Sequence, residues 1–553
     1  FRWRFPSDVP NSRLAGGEQW MDVARFDAAR DAEQSHWSRA SVSESDEHRT
    51  LEPTPLPEML HRRWRGGRVC NVTGPLEAAE WQSWWTGQVD RIVVPAESKA
   101  EVLIDLDDYL CAFVSLHVEQ GAGATVDVAW AEALVAGVEE PHFEKGQRDE
   151  VEGKRFIGRA DTFVFDGQPR TAETLWWRAG RFIQLTIRTG DEPLILLALQ
   201  FDETRYPLDW RDLPPTGDSE FDAAVPLMQR SIETCVHETF MDCPYYEQIQ
   251  YLGDTRLQAL VTYTLCDDDR PGMRAIKLFA AAQRPDGLLP SRLPCTKDQL
   301  IPGFCLAWVG MLHDLAIWRG RPEFVSDMLP ASRRLVDAFA RLVGDDDLLG
   351  PLPDWRFVDW VPTWQNGVPA DTQDTPDAIH NAWLVIALRQ LAQFEAWVGD
   401  ADISRSHAAL AERLSAAGKR AFWSDQRSLF SNAPDRDAFS EHAQCLAVLA
   451  DWITGDDAGD LLRRCSDADV AKTTIYFRHY RFEALTHVGL SDSILDELDE
   501  WRDLPARGLK TTPEMPEPTR SDNHAWGAHP LFHVVAPRLG LRPTPLPHTP
   551  TPQ

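Results

Sequence analysis

The chain has 553 residues and a formal net charge of −30, with 86 acidic against 56 basic side chains; that balance argues against nucleic acid, whose phosphates require a basic footprint, and against anionic membranes as partners. Apolar residues make up 43% and charged residues 26%, a globular composition, and no stretch nears the run of about 18 apolar residues that crosses a bilayer. The length predicts two or three domains.

Nine cysteines are scattered at 70, 111, 235, 243, 266, 295, 305, 445 and 465 with no CxxC pair. They predict buried free thiols, and neither a disulfide framework nor a zinc site. No cofactor or metal spacing stands out, although an acidic loop has oxygens that suit Ca²⁺. The 22 tryptophans are an excess, and pyranose faces stack on indole rings, so a carbohydrate partner is expected. The first residue is Phe1, and the sequence leaves localisation open between cytoplasm and secretion, as it leaves oligomeric state.

In chain order, residues 1–80 are polar and irregular, an N-terminal segment expected to be β-rich. Over 81–210 the pattern alternates. In CAFVSLHVEQ, Ala112, Val114, Leu116 and Val118 face one way and Phe113, Ser115, His117 and Glu119 the other; Ile183, Leu185 and Ile187 alternate with Gln184, Thr186 and Arg188. Period-two runs divided by Gly, Asp and Pro predict antiparallel strands in a β-sandwich. From 215 to 540 the period is helical. Phe221, Val225, Met228, Ile232 and Val236 share one face of a helix expected to end near Thr239, in which Pro226 is tolerable only in the first turn. Further windows follow near 256–265, 272–283, 304–319, 327–343, 379–398, 405–420, 439–453, 457–465, 475–487 and 492–502. About a dozen helices without interleaved strands predict a toroid of six helical hairpins, an (α/α)6 barrel. The lack of a fixed-period repeat disfavours an open solenoid. Residues 541–553 read as a Pro-rich tail.

Three irregular segments between helices combine carboxylates with aromatics. The first, ETFMDCPYYEQIQYLGDTRLQAL, holds Asp242, Glu247, Tyr251 and Asp254 and is broken by Pro244. The second holds Asp354, Trp355, Asp359, Trp360 and Trp364. The third, GLKTTPEMPEPTRSDNHAWGAHP, holds Glu514, Glu517, Asp522, His524 and Trp526. Taken singly, such acids are as well explained as helix caps, Asp254 for the helix TRLQALVTYT. Taken together, loops of a closed toroid converge on one mouth. Two carboxylates meeting in an aromatic pocket are what glycosidic cleavage needs: one protonates the leaving oxygen and the other activates water.

The frame D-C-P-x-x-E-x-x-x-x-x-G-D, with RPDGLLPSR, IPGFCLAWVGMLHD, DWRFVDW and TTPE…RSDNHAWGAHP after it, resembles the catalytic domain of α-L-rhamnosidases, glycoside hydrolase family 78. The resemblance spans about 170–540. It implies a β-sandwich followed by a six-hairpin barrel, and inversion at the anomeric carbon without a covalent intermediate. It also implies Glu247 as general acid and Glu514 as general base, with the nearby Glu517 as the other candidate base. Asp242 and Asp254 would hold sugar hydroxyls, and Trp355, Asp359, Trp360, His524 and Tyr251 would line the sugar pocket. Where the family carries Arg on both sides of the acid and then Gly-Trp, this chain has Tyr246, Gln248, Gln250 and Tyr251, so the sequence supports the reaction type better than the sugar.

Asp286 reads as a turn residue, His442 as a loop pin, Trp308 and Trp383 as core, and Cys243 as a buried thiol without a His to activate it. The leading reading is an inverting exo-glycosidase that removes terminal α-L-rhamnose or a related 6-deoxy or uronic sugar, and two other functions remain in view. A polysaccharide lyase needs a cationic group for a uronate, and the clusters hold few Arg. A silent carbohydrate-binding protein gains nothing from two desolvated acids.

Overall fold

The computed structural model describes residues 53–547 except 140–141, 296–297 and 468, together with two strands, β1 (Arg2–Arg4) and β2 (Glu18–Asp22). Most of the expected N-terminal segment and the end of the Pro-rich tail lie outside the described residues. The alternating residues form β3 (Leu60–Trp64), β4 (Arg68–Thr73), β5 (Ile92–Val94), β6 (Lys99–Gln120), β7 (Thr125–Ala131), the hairpin β8 (Gly137–Glu139) and β9 (His142–Glu144), β10 (Arg159–Val164), β11 (Gly167–Glu173), β12 (Arg178–Arg188) and β13 (Leu194–Arg205). A helix, α1 (Ala78–Trp85), interrupts them.

Strand β6 is shared between two neighbourhoods. Its first half pairs with β12 (Ala100↔Ile187) and β4 (Val102↔Val72), and its second half with β13 (Leu116↔Leu199) and β11 (Ser115↔Glu173). Apolar side chains of both halves, Val102 and Ile104 with Leu116 and Val118, meet Ile183, Leu185, Ile187 and Leu194 in one core. The alternation read from CAFVSLHVEQ is visible here: Ala112, Val114, Leu116 and Val118 are all buried.

The helices begin with α2 (Ser219–Thr234), whose N-cap Asp218 accepts from the backbone of Glu220 and Phe221. Two details differ from expectation. The helix ends at Thr234, not near Thr239. Pro226 sits in its interior, not its first turn; the ring is on the exposed face, where water can satisfy the carbonyl it leaves without a partner. There follow α3 (Leu252–Leu265), α4 (Arg270–Ala281), α5 (Pro302–Arg319), α6 (Pro322–Ala340), α7 (Ala378–Val398), α8 (Ala401–Phe422), α9 (Glu441–Leu449), α10 (Gly455–Asp467) and α11 (Arg478–His487). They alternate in character. Helices α3, α5, α7 and α9 are buried almost all round, whereas α4, α6 and α8 bury one stripe and expose the rest. The residue-rich loops between them, and the irregular stretch after α11, hold the candidate site.

None of the nine cysteines is in a disulfide, and seven are buried. Asp286 caps its own turn by accepting from Leu288 N (3.0 Å), and Trp308 is buried with its indole N–H on the Ile276 carbonyl.

Candidate active site

The segment between α2 and α3 is a closed loop. Asp242 N donates to Ile249 O (2.9 Å), Ile249 N donates to Asp242 Oδ1 (3.1 Å), and Gln248, in the left-handed region at φ 53°, donates back to Cys243 O (2.9 Å). That closure turns Glu247 towards the helices. Helix α3 then starts at Leu252 with Tyr251 as its N-cap, so Asp254 lies inside the first turn and is not the cap. Gly253 is required by proximity: a Cβ there would stand 2.3 Å from the Phe304 ring.

The second half of the site comes from the stretch after α11. Glu514 N donates to Ser521 O (3.0 Å), His524 N to Thr512 O (2.7 Å), and Trp526 Nε1 to Glu514 O (2.9 Å). The two stretches meet in a cavity of about 110 Å³, where Asp242, Glu247, Tyr251, Asp254, Glu514, Arg520 and His524 face Ile301, Phe304, Trp355, Phe357, Trp360 and Trp526.

Arg520 organises the charges. Its Nη1 donates to Glu247 Oε1 (2.8 Å) and its Nε to Glu514 Oε2 (3.0 Å), so one guanidinium spans both carboxylates. Hydrogen-bond lengths then limit their separation to about 8 Å. The other oxygen of Glu247 accepts from Tyr251 OH (3.0 Å), which in turn accepts from Arg292 (3.0 Å). Burial pushes Glu514 up, but the charges of Arg520 and His524 and the Arg520 hydrogen bond outweigh it and hold the carboxyl below its ordinary value. Asp242 goes the other way. Burial and then the neighbouring Glu247 raise it, with His524 opposing. His524 Nε2 lies 2.9 Å from Asp254 Oδ1; burial disfavours its charge, but Asp254 and Glu514 more than compensate and raise it. The Cys243 thiol is buried and pushed well above its usual range, and its Sγ–H donates to Asp242 (3.1 Å), which suits a structural thiol and not a nucleophile.

The sheet region holds this site from behind. Lys145 Nζ donates to the Arg520 carbonyl (2.8 Å) and to Asp522 Oδ1 (2.9 Å). Arg148 grips both oxygens of Asp522 (3.0 and 2.9 Å), and Asp522 N donates to Glu132 (3.0 Å). Against burial, Arg148 and Lys145 hold Asp522 far below the usual carboxylate range. Glu517 belongs to this outer side: it pairs with Arg148 (2.5 Å) and Arg507 and lies off the cavity. Glu514 is therefore the carboxylate of that pair which faces Glu247.

Of the residues singled out in the sequence, Asp242, Glu247, Tyr251, Asp254, Trp355, Trp360, Glu514 and His524 share the cavity. Asp359 does not. It is fully buried behind the wall, where its oxygens accept from Thr474 N and Oγ1 (both 2.6 Å), His442 Nε2 (2.9 Å) and Trp360 N (3.0 Å). Its task is to fix the Trp360 backbone, and His442 is the pin that holds it. Sequence reasoning missed Arg520, which sits inside the quoted RSDNHAW run, because nothing local to that run reveals that it spans two acids. The clusters thus do include an arginine, but it is committed to the carboxylates. Ile301, Phe304 and Phe357 look like ordinary core residues in the sequence.

Residues 215–475 match the family model of the bacterial α-L-rhamnosidase six-hairpin glycosidase domain. No curated protein matches the chain. Among solved structures, the rhamnosidase from Klebsiella oxytoca with rhamnose bound superposes with a TM-score of 0.73 at 17% identity, over 88% of this chain and 97% of that one. The family 78 rhamnosidase of Bacillus sp. GL1 gives 0.71 at 21% identity, over 80% of this chain and 47% of that one. The Streptomyces avermitilis α-L-rhamnosidase complexed with L-rhamnose gives 0.60 at 17%, over 81% and 44%. This chain therefore spans about half the length of the Bacillus and Streptomyces structures and nearly all of the Klebsiella one. At these identities the likeness establishes the fold: a six-hairpin glycosidase domain of many helices behind an N-terminal sheet region.

Proposed function

We propose that this protein, carrying a bacterial α-L-rhamnosidase six-hairpin glycosidase domain, is an inverting exo-glycosidase that removes terminal α-L-rhamnosyl residues. The observation that carries the reading is the pair Glu247 and Glu514 on one cavity, held apart by Arg520. Glu247 gives its proton to the departing glycosidic oxygen. Glu514, kept as a carboxylate by Arg520, takes a proton from the water that attacks the opposite face of the ring. Asp242, Asp254 and His524 supply hydrogen-bonding groups for ring hydroxyls. The apolar wall of Ile301, Phe304 and Phe357 suits a sugar whose C6 is a methyl group, and the tryptophans suit its ring faces. A small cavity with acids on one side fits one terminal sugar unit better than a chain interior. Arg520 is already engaged by two carboxylates, which leaves it poorly suited to binding a uronate and favours hydrolysis over β-elimination. The alternation of all-round buried and one-sided helices supports a closed (α/α)6 toroid, and the shared strand β6 supports two packed sheet layers.

The test is a proton NMR time course on nitrophenyl and alkyl α-L-rhamnosides. The wild type is expected to release β-rhamnose first. Glu514→Gln should lose about 10²–10⁴-fold on both substrates, whereas Glu247→Gln should lose far more on the alkyl glycoside, because nitrophenolate departs with little protonation. Release of the α-anomer first, or two variants as active as wild type, overturns the assignment.

A further inference from the structure

A second, larger cavity of about 430 Å³ lies further along the same helices. Asp314 in its wall is ten residues beyond Phe304 of the catalytic cavity, about 15 Å along α5. Most of its polar lining is paired internally: Arg256 with Asp314 (2.9 Å), Arg389 with Asp451 (2.8 Å) and His313 with Gln393 (3.0 Å). His533 is the exception that leads somewhere. Behind it stand His479, on α11, and His529. One ring nitrogen from each of the three lies within 4.8 Å of the other two, and all three residues are buried.

One hydrogen bond fixes the tautomer of His529. His529 Nε2 is 3.0 Å from the Ile475 carbonyl, which only accepts, so the proton is on Nε2 and Nδ1 is a bare lone pair. That Nδ1 is buried with no partner. His479 Nδ1 and His533 Nε2 face each other at 3.0 Å. On its far side, His479 Nε2 lies 3.5 Å from Glu483 Oε2, a charge contact without hydrogen-bond geometry. A hydrogen-bonded His479–His533 pair would account for two of the rings. It would leave the His529 lone pair desolvated without a donor.

We propose that His479, His529 and His533 bind one divalent transition-metal ion, with Zn²⁺ the best-suited, at the border of the second cavity. Imidazole nitrogens suit Zn²⁺, and a tetrahedral ion holds its ligand nitrogens roughly 3.3 Å apart. The His479–His533 nitrogens, 3.0 Å apart, are near that spacing, and the His529 ring, with a nitrogen within 4.8 Å of both, closes on it by a movement of its side chain. The outer partners are in place as well: Glu483 behind His479 and the Ile475 carbonyl behind His529. His533 lines the cavity, which gives the ion an access route and a side for a fourth ligand such as water. His529 precedes the π-helical turn Leu531–Val535 and His533 lies within it, so the ion would tie this last irregular stretch to α11. Nothing in this depends on which sugar the catalytic cavity takes.

The full chain, dialysed against EDTA, is titrated with Zn²⁺ in competition with a chromogenic zinc chelator, and with Co²⁺ while its visible spectrum is followed. The expected result is one equivalent of Zn²⁺, a higher melting temperature with it, and tetrahedral Co²⁺ bands without thiolate charge transfer. The last feature distinguishes this site from the cysteines and from the Asp242, Cys243 and His524 group of the catalytic cavity. His529→Gln and His533→Gln should each weaken Zn²⁺ about a hundredfold or more, and Glu483→Gln about ten- to a hundredfold. The proposal is overturned if the EDTA-treated wild type takes up no Zn²⁺, which needs no variant to fold. It is equally overturned if folded His529→Gln and His533→Gln bind as tightly as wild type, or if the Co²⁺ spectrum carries a thiolate band.

Discussion

Replacing Arg520 with Met keeps roughly its aliphatic stem and removes its charge from between two acids whose side chains are only 5% and 3% exposed. Leaving a buried charge without its partner costs about 3–5 kcal/mol; because the Arg520 side chain is 28% exposed, solvent screens part of this, and about 2–4 kcal/mol at pH 7 is the expected loss. The sign with pH follows from Glu514. In the wild type its folded value is depressed, so its contribution is present above the unfolded carboxylate range and lost as pH falls through the folded value. Arg520→Met abolishes that contribution, and burial then favours the protonated acid. The deficit should therefore be largest at pH 7 and shrink towards pH 4. Urea unfolding of both proteins at pH 7, 5.5 and 4.5 measures it. A deficit that stays constant or grows on acidification would refute the electrostatic bridge. Arg520→Lys should recover only part of the loss, since a point charge cannot span both carboxylates with the geometry of a fork.

Two further outcomes rest on packing and on the outer ion network. Gly253→Ala gains up to about 1 kcal/mol of helix propensity but forces a methyl group to within 2.3 Å of the Phe304 ring, so a net loss of about 1–2 kcal/mol in urea unfolding and a raised KM are expected; a stabilised variant would show that the ring yields freely. Lys145→Met strands Glu132 and weakens the seat of Asp522 and the Arg520 backbone, with an expected loss of about 3–5 kcal/mol and a fall in kcat/KM on the rhamnoside. Adding Glu132→Gln should recover part of the stability, and no recovery in the double variant would count against that network.

The local frame around Asp242, Glu247 and Asp254 was legible in the sequence because its members act within one turn-and-helix unit: the proline that stops the chain, the acid that follows, the glycine that lets Phe304 approach. The two regions were legible as well, since a period of two and a period near 3.6 are properties of consecutive residues. Boundaries were harder where helices such as α3 and α5 are buried all round, because a helix with no polar face carries no periodic signal to end. Asp359 shows the limit of composition: an acid among tryptophans looks the same whether it faces the cavity or the core. Which way it points is settled by Thr474 and His442, 115 and 83 residues away. Which of Glu514 and Glu517 lines the cavity, the bridging of Glu247 by Arg520 across 273 residues, and the anchoring of Arg520 by Lys145 across 375 were decided only by tertiary structure. The physical reason is that a carboxylate's charge and reach depend on what surrounds it in space, and those surroundings are assembled by chain closure.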